Sequence, residues 1–126
     1  MHRFMTIAAA SLTLATPSLA RAADDPVSGA WVVHGKVEQF AFTFILNCSF
    51  ERHGDRLGGV CVDDGTNRRH PLTAGTVTGD RVTFTYQANY LLTKFDVVYA
   101  GALKAGQMAG TFQVPGHAGT FTATRR

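Results

Sequence analysis

The chain has 126 residues, a length that suits one domain. Its hydrophobic fraction of 45% is enough for a buried core, and its 12 lysines and arginines stand against 9 acidic residues. The only basic clusters are the dipeptides Arg68-Arg69 and Arg125-Arg126. Because a nucleic-acid footprint needs a basic patch, we expect no nucleic-acid partner.

The N-terminus, residues 1–22, predicts a secretory signal peptide. A basic start precedes an apolar run over residues 4–15, and residues 20–22 form an A-x-A cleavage site. The run is shorter than the ~20 apolar residues of a membrane span, so we expect none. Cleavage removes 22 of the 126 residues and leaves 104, a single domain over residues 23–126 that is close to neutral. We expect this domain in the periplasm or outside the cell.

Apolar and polar residues alternate with period two through most of the mature chain, which is typical of strands. Turn residues divide it into eight predicted strands, near 29–37, 40–51, 57–64, 70–78, 81–88, 94–103, 107–114 and 118–125. Short links make consecutive strands antiparallel neighbours, and eight such strands close without an exposed edge. The sequence therefore predicts an all-β fold, an eight-stranded antiparallel up-and-down β-barrel.

The two cysteines, Cys48 and Cys61, fall on either side of a predicted hairpin turn. Gly54-Asp55 suits a two-residue turn, and this turn sets the cysteines opposite each other as a non-hydrogen-bonded pair. Such pairs have Cα atoms about 4.5 Å apart, within reach of a disulfide. A metal site would need CxxC-type spacing or nearby histidines, and a catalytic thiol would not be paired off in an oxidising compartment. We therefore predict one cross-strand disulfide, which stabilises by up to ~3 kcal/mol.

Two predicted hairpins place an aromatic residue opposite a glycine. The first turn sets Phe50 opposite Gly59, and a second turn at Gly79-Asp80 sets Phe84 opposite Gly75. An aromatic ring over a cross-strand glycine fixes strand register. Two hairpins that share this device support the predicted pairing.

One face of the predicted strands collects most of the aromatic residues, Phe40 among them, and this face lines the barrel interior. An eight-stranded barrel is wide enough either to be filled by side chains or to hold one small ligand. A filled barrel predicts a protein-interaction or inhibitor module. A hollow one predicts a binding module for a small apolar or amphipathic molecule, with tyrosine hydroxyls as orienting groups. We favour the second, with candidate ligand-binding residues Trp31, Phe42, Phe44, Phe84, Tyr86, Tyr99 and Phe112.

Several short motifs resemble those of the calycin-like barrels, meaning lipocalins and the avidin/streptavidin type. Gly29-Ala30-Trp31 is similar to the G-x-W that begins their first strand. Arg125 or Arg126 stands where lipocalins bring an arginine across that tryptophan. The stretch Gly54-x-x-Leu57-x-Gly59 resembles the second hairpin of the avidin type. The C-terminal pattern MxGTF…GTFTAxR is similar to that of small bacterial barrels that carry a signal peptide. The resemblance implies a calycin-like barrel fold, and the presence of a single tryptophan, Trp31, argues against biotin as a ligand.

A related resemblance supports the filled-barrel alternative. Small barrel inhibitors of secreted metalloproteases insert an extended N-terminus into the protease cleft. Residues 23–28 of this chain would take that place, and a protein partner would then bind through the N-terminal segment. We expect the barrel to be a monomer or a dimer.

A catalytic role is a third and less favoured hypothesis. Asp96 is the one acid between hydrophobic strand residues, and with a tyrosine it offers an acid and a base at the barrel mouth. An outward-facing acid on an alternating strand is the simpler interpretation. The residues at 51–55 include a histidine and two acids, a pattern that fits a solvated turn better than a metal site, and His70 is expected at the surface or a strand end. We predict no catalytic residue, no metal and no cofactor.

Overall fold

Eight antiparallel strands follow one another around a closed barrel in the computed structural model, which describes residues 25–126. Numbered β1 to β8 in chain order, the strands are Gly29–Val37, Phe42–His53, Arg56–Asp63, Arg69–Thr78, Arg81–Tyr90, Thr93–Lys104, Gln107–Val114 and His117–Arg125. Pairing of β8 with β1 closes the barrel, so the predicted fold class is confirmed. The predicted signal peptide lies outside the described residues. Within the described part of the chain, no helix is long and apolar enough to cross a membrane.

The β2–β3 hairpin has the predicted register. Gly54 takes a φ of 65° in the turn, and Cys48 lies opposite Cys61. The two cysteines form a disulfide with a Cα–Cα distance of 4.0 Å, and both are buried. The same pairing places Phe50 opposite Gly59. The predicted cross-strand disulfide is therefore confirmed.

The β4–β5 hairpin keeps its predicted register only near the turn. Gly75 pairs with Phe84 as expected, but the pairing shifts by one residue between Leu72 and Ala74. The extra residue, Thr73, bonds through its hydroxyl to the carbonyl of Thr85 at 3.2 Å. Such a bulge bends its strand locally, and here it lies between the turn and the end of β4 that carries His70.

The two ends of the barrel differ in their connections. The closed end carries the chain segment before β1, the C-terminus and the two-residue turns at 54–55, 79–80 and 105–106. The open end carries the connections at 38–41, 64–68, 91–92 and 115–116. Residues at the start of β1, β3, β5 and β7 therefore lie at the closed end, and their last residues lie at the open end.

The second strand begins two residues later than predicted. Glu38–Phe40 form a single 3-10 turn that ends at Ala41, whose φ is 49°. Phe40 is consequently 64% exposed, so its predicted place in the interior is wrong. Phe42, the first residue of β2, lies at the rim and is 58% exposed.

Candidate functional site

The closed end of the barrel is filled around Trp31. This side chain is fully buried, and its indole N–H donates to the carbonyl of Val27 at 2.7 Å. The guanidinium of Arg125 lies 4.9 Å from the centre of the tryptophan ring and donates to the carbonyls of Ser28 and Asp25 at 2.8 and 3.1 Å. An arginine over a tryptophan face is a favourable cation–π arrangement. Arg125, one of the two arginines expected across this tryptophan, therefore seals the closed end.

The segment before β1 folds back onto this end. The Asp25 carboxylate accepts the N–H groups of Val27 and Ser28 at 3.0 and 3.1 Å, and also the Ser28 hydroxyl. Burial by itself raises the pKa of Asp25, but these hydrogen bonds and the charge of Arg52 hold that pKa below its ordinary 3.8. Val27 is fully buried. Residues 25–28, which the inhibitor hypothesis needs in an extended form, thus cap the barrel.

The open end contains a cavity of about 670 Å³, which we call the cup. Its apolar wall consists of Val37, Phe42, Phe44, Ala88, Phe95, Val97, Phe112 and Val114. Its floor is formed by Tyr86 and Tyr99, and its polar wall includes Asp63, Asp64, Thr66, Arg68 and His70. The cup is open to solvent at the mouth.

The seven predicted ligand-binding residues divide between the two halves of the barrel. Those on the cup are Phe42, Phe44, Tyr86, Tyr99 and Phe112. Trp31 and Phe84 do not line it, since both are fully buried in the filled half. The Phe84 ring stacks beneath Tyr99, with 4.5 Å between ring centres and 7° between ring planes. These two residues support the cup and do not form its wall.

Two glycines explain why the aromatic rings leave the cup open. Gly35 lies opposite Phe44, and Gly119 lies opposite Phe112, each on the neighbouring strand. A methyl group on Gly35 would come within 2.1 Å of the Phe44 ring, and one on Gly119 within 2.4 Å of the Phe112 ring. The far ends of both rings therefore occupy space that a side chain at either glycine would fill. The cup is lined by phenylalanine without being filled by it.

The floor of the cup holds a pair of buried tyrosine hydroxyls. The oxygens of Tyr86 and Tyr99 are 2.7 Å apart, and one hydroxyl donates to the other. Two hydroxyls carry two hydrogens, so this pair keeps one O–H donor that their mutual bond does not use. Burial raises the pKa of Tyr86 to about 12 and that of Tyr99 further, and the negative charge of Asp63 adds to both increases. Both groups are neutral donors at physiological pH.

The polar wall depends on His70, which was not among the predicted ligand-binding residues. His70 Nε2 lies 3.0 Å from an oxygen of Asp63, and the His70 ring stacks on Tyr86 with 4.7 Å between ring centres. His70 pairs with Cys61, whose side chain is buried, so its side chain also points into the barrel. His70 lies at a strand end, as one of the two predicted alternatives has it, since it is the second residue of β4, and it is half-buried rather than on the surface.

The residues considered for catalysis or metal binding do not lie together in one site. Asp96 pairs with Gln87 on the outer face of the barrel and is exposed, which agrees with the simpler of its two interpretations. His53 and Glu51 are 3.3 Å apart, with both side chains more than 70% exposed. Residues 25–126 contain no group of three histidine, cysteine or acidic residues placed to hold a metal ion.

The buried hydroxyl pair predicts a specific alkaline response. Because the folded-state pKa of each tyrosine lies above the ordinary 10.0, the fold favours the neutral form. The stability that this supplies is complete below about pH 10 and, for Tyr86, is lost as pH rises towards about 12. In a spectrophotometric titration, two of the three tyrosines should ionise only as the barrel unfolds. Ionisation of all three with the circular dichroism spectrum unchanged would show that the pair is not buried.

Comparison with known protein families finds no family model that matches this chain, and comparison with curated proteins finds no significant match. The fold itself, a closed eight-stranded antiparallel barrel, is compatible with the calycin-like architecture.

Proposed function

We propose that this protein is an exported calycin-like barrel, of the lipocalin or avidin/streptavidin type, which holds a small apolar or amphipathic molecule in the cup. The observation that carries the proposal is the contrast between a filled closed end and a cup of about 670 Å³ at the open end. Pockets for small ligands usually measure about 300–1,000 Å³ and combine apolar walls with a few polar groups. The cup has both properties.

The arrangement of the cup suggests how such a ligand is oriented. Phe44 and Phe112 present ring surfaces, with 5.3 Å between ring centres in an edge-to-face arrangement. The remaining O–H donor of the Tyr86–Tyr99 pair lies at the floor, where it can bond to an oxygen or nitrogen of the ligand. A molecule with an apolar body and one acceptor group at its buried end matches this geometry.

Features outside the cup support the family and the compartment. The contact between Trp31 and Arg125 is the one that the resemblance to lipocalins implies. The Cys48–Cys61 disulfide is of a kind that persists in oxidising compartments. Together with the predicted signal peptide, these features support a periplasmic or secreted location. The folded-back segment at 25–28 makes the protease-inhibitor alternative less attractive, because Val27 is buried in the barrel.

Blocking the cup tests the proposal. Ala88 lies half-buried on the cup wall, and Ala88→Trp would place an indole in the cavity. With N-phenyl-1-naphthylamine as a fluorescent apolar probe, we expect Ala88→Trp to weaken binding at least about tenfold, which corresponds to about 1.4 kcal/mol. The matched control is Ala100→Trp, the same substitution at an exposed position on the outer face. Equal probe affinity in the two variants would contradict the proposal.

A further inference from the structure

The turn between β5 and β6 differs from the other two-residue turns of the barrel. Those turns are Gly54-Asp55, Gly79-Asp80, Ala105-Gly106 and Pro115-Gly116. The β5–β6 turn is Leu91-Leu92, and these side chains are 85% and 102% exposed. Two leucines this exposed at a hairpin tip contribute nothing to the core of this chain.

The backbone of this turn also disfavours leucine. Leu91 has a φ of 57°, close to the 65° of Gly54, the 60° of Gly79 and the 53° of Ala105 at the same position of their turns. A side chain with a Cβ is unfavourable in this left-handed region, which glycine occupies freely. Leucine at position 91 therefore works against both local conformation and solubility, and its presence calls for an explanation outside the folding of the barrel.

Further apolar side chains are exposed across the mouth of the cup. Phe40 and Phe42, in and next to the β1–β2 connection, are 64% and 58% exposed. Tyr90, beside the two leucines, is 71% exposed. In a closed barrel of eight strands, the β1–β2 and β5–β6 connections stand on opposite sides of the open end. A flat apolar surface placed over the mouth would meet both groups.

Basic residues flank the leucines. Arg68, Arg69 and Lys94 line one groove together with Leu91 and Leu92, and no acidic residue of the described chain lines that groove. The acids of the same end, Glu38, Asp63 and Asp64, lie outside it. Apolar tips next to cations are suited to a bilayer with anionic headgroups, since leucine enters the boundary of the acyl chains while each cation contributes about 1 kcal/mol near the anionic surface. A protein partner would need a continuous complementary surface. The exposed apolar residues of the open end instead form two separate groups, at the β1–β2 and β5–β6 connections, with the mouth of the cup between them.

We propose that the open end of the barrel docks onto an anionic lipid bilayer. Leu91 and Leu92 enter the interface between headgroups and acyl chains, and Arg68, Arg69 and Lys94 contact lipid phosphates. The mouth of the cup then faces the membrane, so an apolar ligand could pass between bilayer and cup without crossing water. The docking rests on exposed residues of the rim and does not require that the cup holds a ligand.

The first test replaces the leucines with turn residues that the backbone prefers. Leu91→Gly combined with Leu92→Asn gives a glycine-first turn like Gly54-Asp55 and Gly79-Asp80, without a change of charge. We expect flotation with vesicles of phosphatidylcholine and phosphatidylglycerol to fall at least about tenfold, because two buried leucine contacts are lost. The melting temperature should equal or exceed that of the wild type, and affinity for N-phenyl-1-naphthylamine should not change.

The second test separates specific cations from total charge. A triple variant with Arg68→Gln, Arg69→Gln and Lys94→Gln should bind anionic vesicles at least about tenfold more weakly. The control removes three exposed cations at the closed end, with Arg56→Gln, Arg81→Gln and Lys104→Gln, and should bind like the wild type. High salt should weaken binding of the wild type, and vesicles of phosphatidylcholine alone should bind poorly.

Three results would overturn membrane docking. One is a wild-type protein that does not float with anionic vesicles, and another is equal flotation of the wild type and the leucine variant. The third is a wild type that self-associates in sedimentation velocity and becomes monomeric in the leucine variant, with no vesicle binding by either. That last result would assign the leucines to a contact between copies of this chain. Because probe binding is measured separately, each result leaves the proposed cup function to its own test.

Discussion

Replacing Trp31 by alanine is expected to lower the free energy of unfolding by about 4 kcal/mol. The tryptophan is fully buried at the closed end, so its loss leaves a cavity that the surrounding strands fill only in part. The substitution also leaves the Val27 carbonyl without the indole donor 2.7 Å away and removes the ring beneath Arg125. Since Trp31 is the one tryptophan of the chain, unfolding by urea should be followed by circular dichroism.

A conservative variant distinguishes the volume of Trp31 from its hydrogen bond. Trp31→Phe keeps an aromatic ring but removes the donor to Val27, so we expect a smaller loss of about 2 kcal/mol. The matched comparison is Phe42→Ala at the open end, where the side chain is 58% exposed and its removal should cost less than about 1 kcal/mol. A Trp31→Ala protein as stable as Phe42→Ala would show that the closed end is not packed as described.

Removing the disulfide is expected to cost about 3 kcal/mol. Cys48 and Cys61 close a loop with a sequence separation of 13, and both side chains are in the core. The double variant Cys48→Ala, Cys61→Ala should therefore unfold at a lower urea concentration by a two-state transition. The lower stability should come mainly from the unfolded chain, whose conformational entropy increases when the cross-link is absent.

The wild type with its disulfide reduced is the natural control, because it retains both sulfur atoms. Its stability should lie close to that of the double alanine variant. The disulfide also affects the cup, since Cys61 pairs with His70 and lies two residues before Asp63. Hydrogen exchange in β3 and β4 should consequently increase after reduction. Equal stability of the oxidised and reduced proteins would mean that the bond does not constrain this hairpin.

The register of the hairpins was predictable from sequence because two local rules agree there. A two-residue turn at Gly54-Asp55 and the period of two along the flanking strands leave one pairing that puts both cysteines on the buried face. The same combination located Gly75 opposite Phe84. The predicted pairing fails on the side of Ala74 away from the turn, because β4 contains one extra residue there. Counting residues from the turn then no longer identifies the partner on β5.

The position of a residue along the barrel axis was harder to predict. Alternation assigns a side chain to the inner face, but it does not say whether that side chain lies at the filled end or at the cup. Trp31 and Phe84 share the inner face with Phe44, yet only Phe44 lines the cup. Deciding between the ends requires the length of each strand and the location of each turn together. The sequence was compatible with either a filled or a hollow barrel. In the structure the closed end is filled and the open end contains the cup.

The polar residues of the cup were missed for a related reason. Asp63 and His70 belong to different strands, and the bond between them depends on the pairing of β3 with β4. That pairing spans a longer connection, residues 64–68, which has no two-residue turn to set its register. Asp96 shows the reverse, because its alternation with Phe95 and Val97 was enough to predict an outward position.

Native mass spectrometry of the protein, purified gently from its own compartment, tests whether the cup holds a ligand. If the cup holds a ligand, the folded protein should carry a discrete excess mass that is released on denaturation, and Ala88→Trp should lack that excess while Ala100→Trp retains it. The measured mass should also be lower by two hydrogens than that of the reduced chain, as the disulfide requires. A bare oxidised protein that also fails to take up N-phenyl-1-naphthylamine would contradict the account, and the barrel would then have to act through its surface.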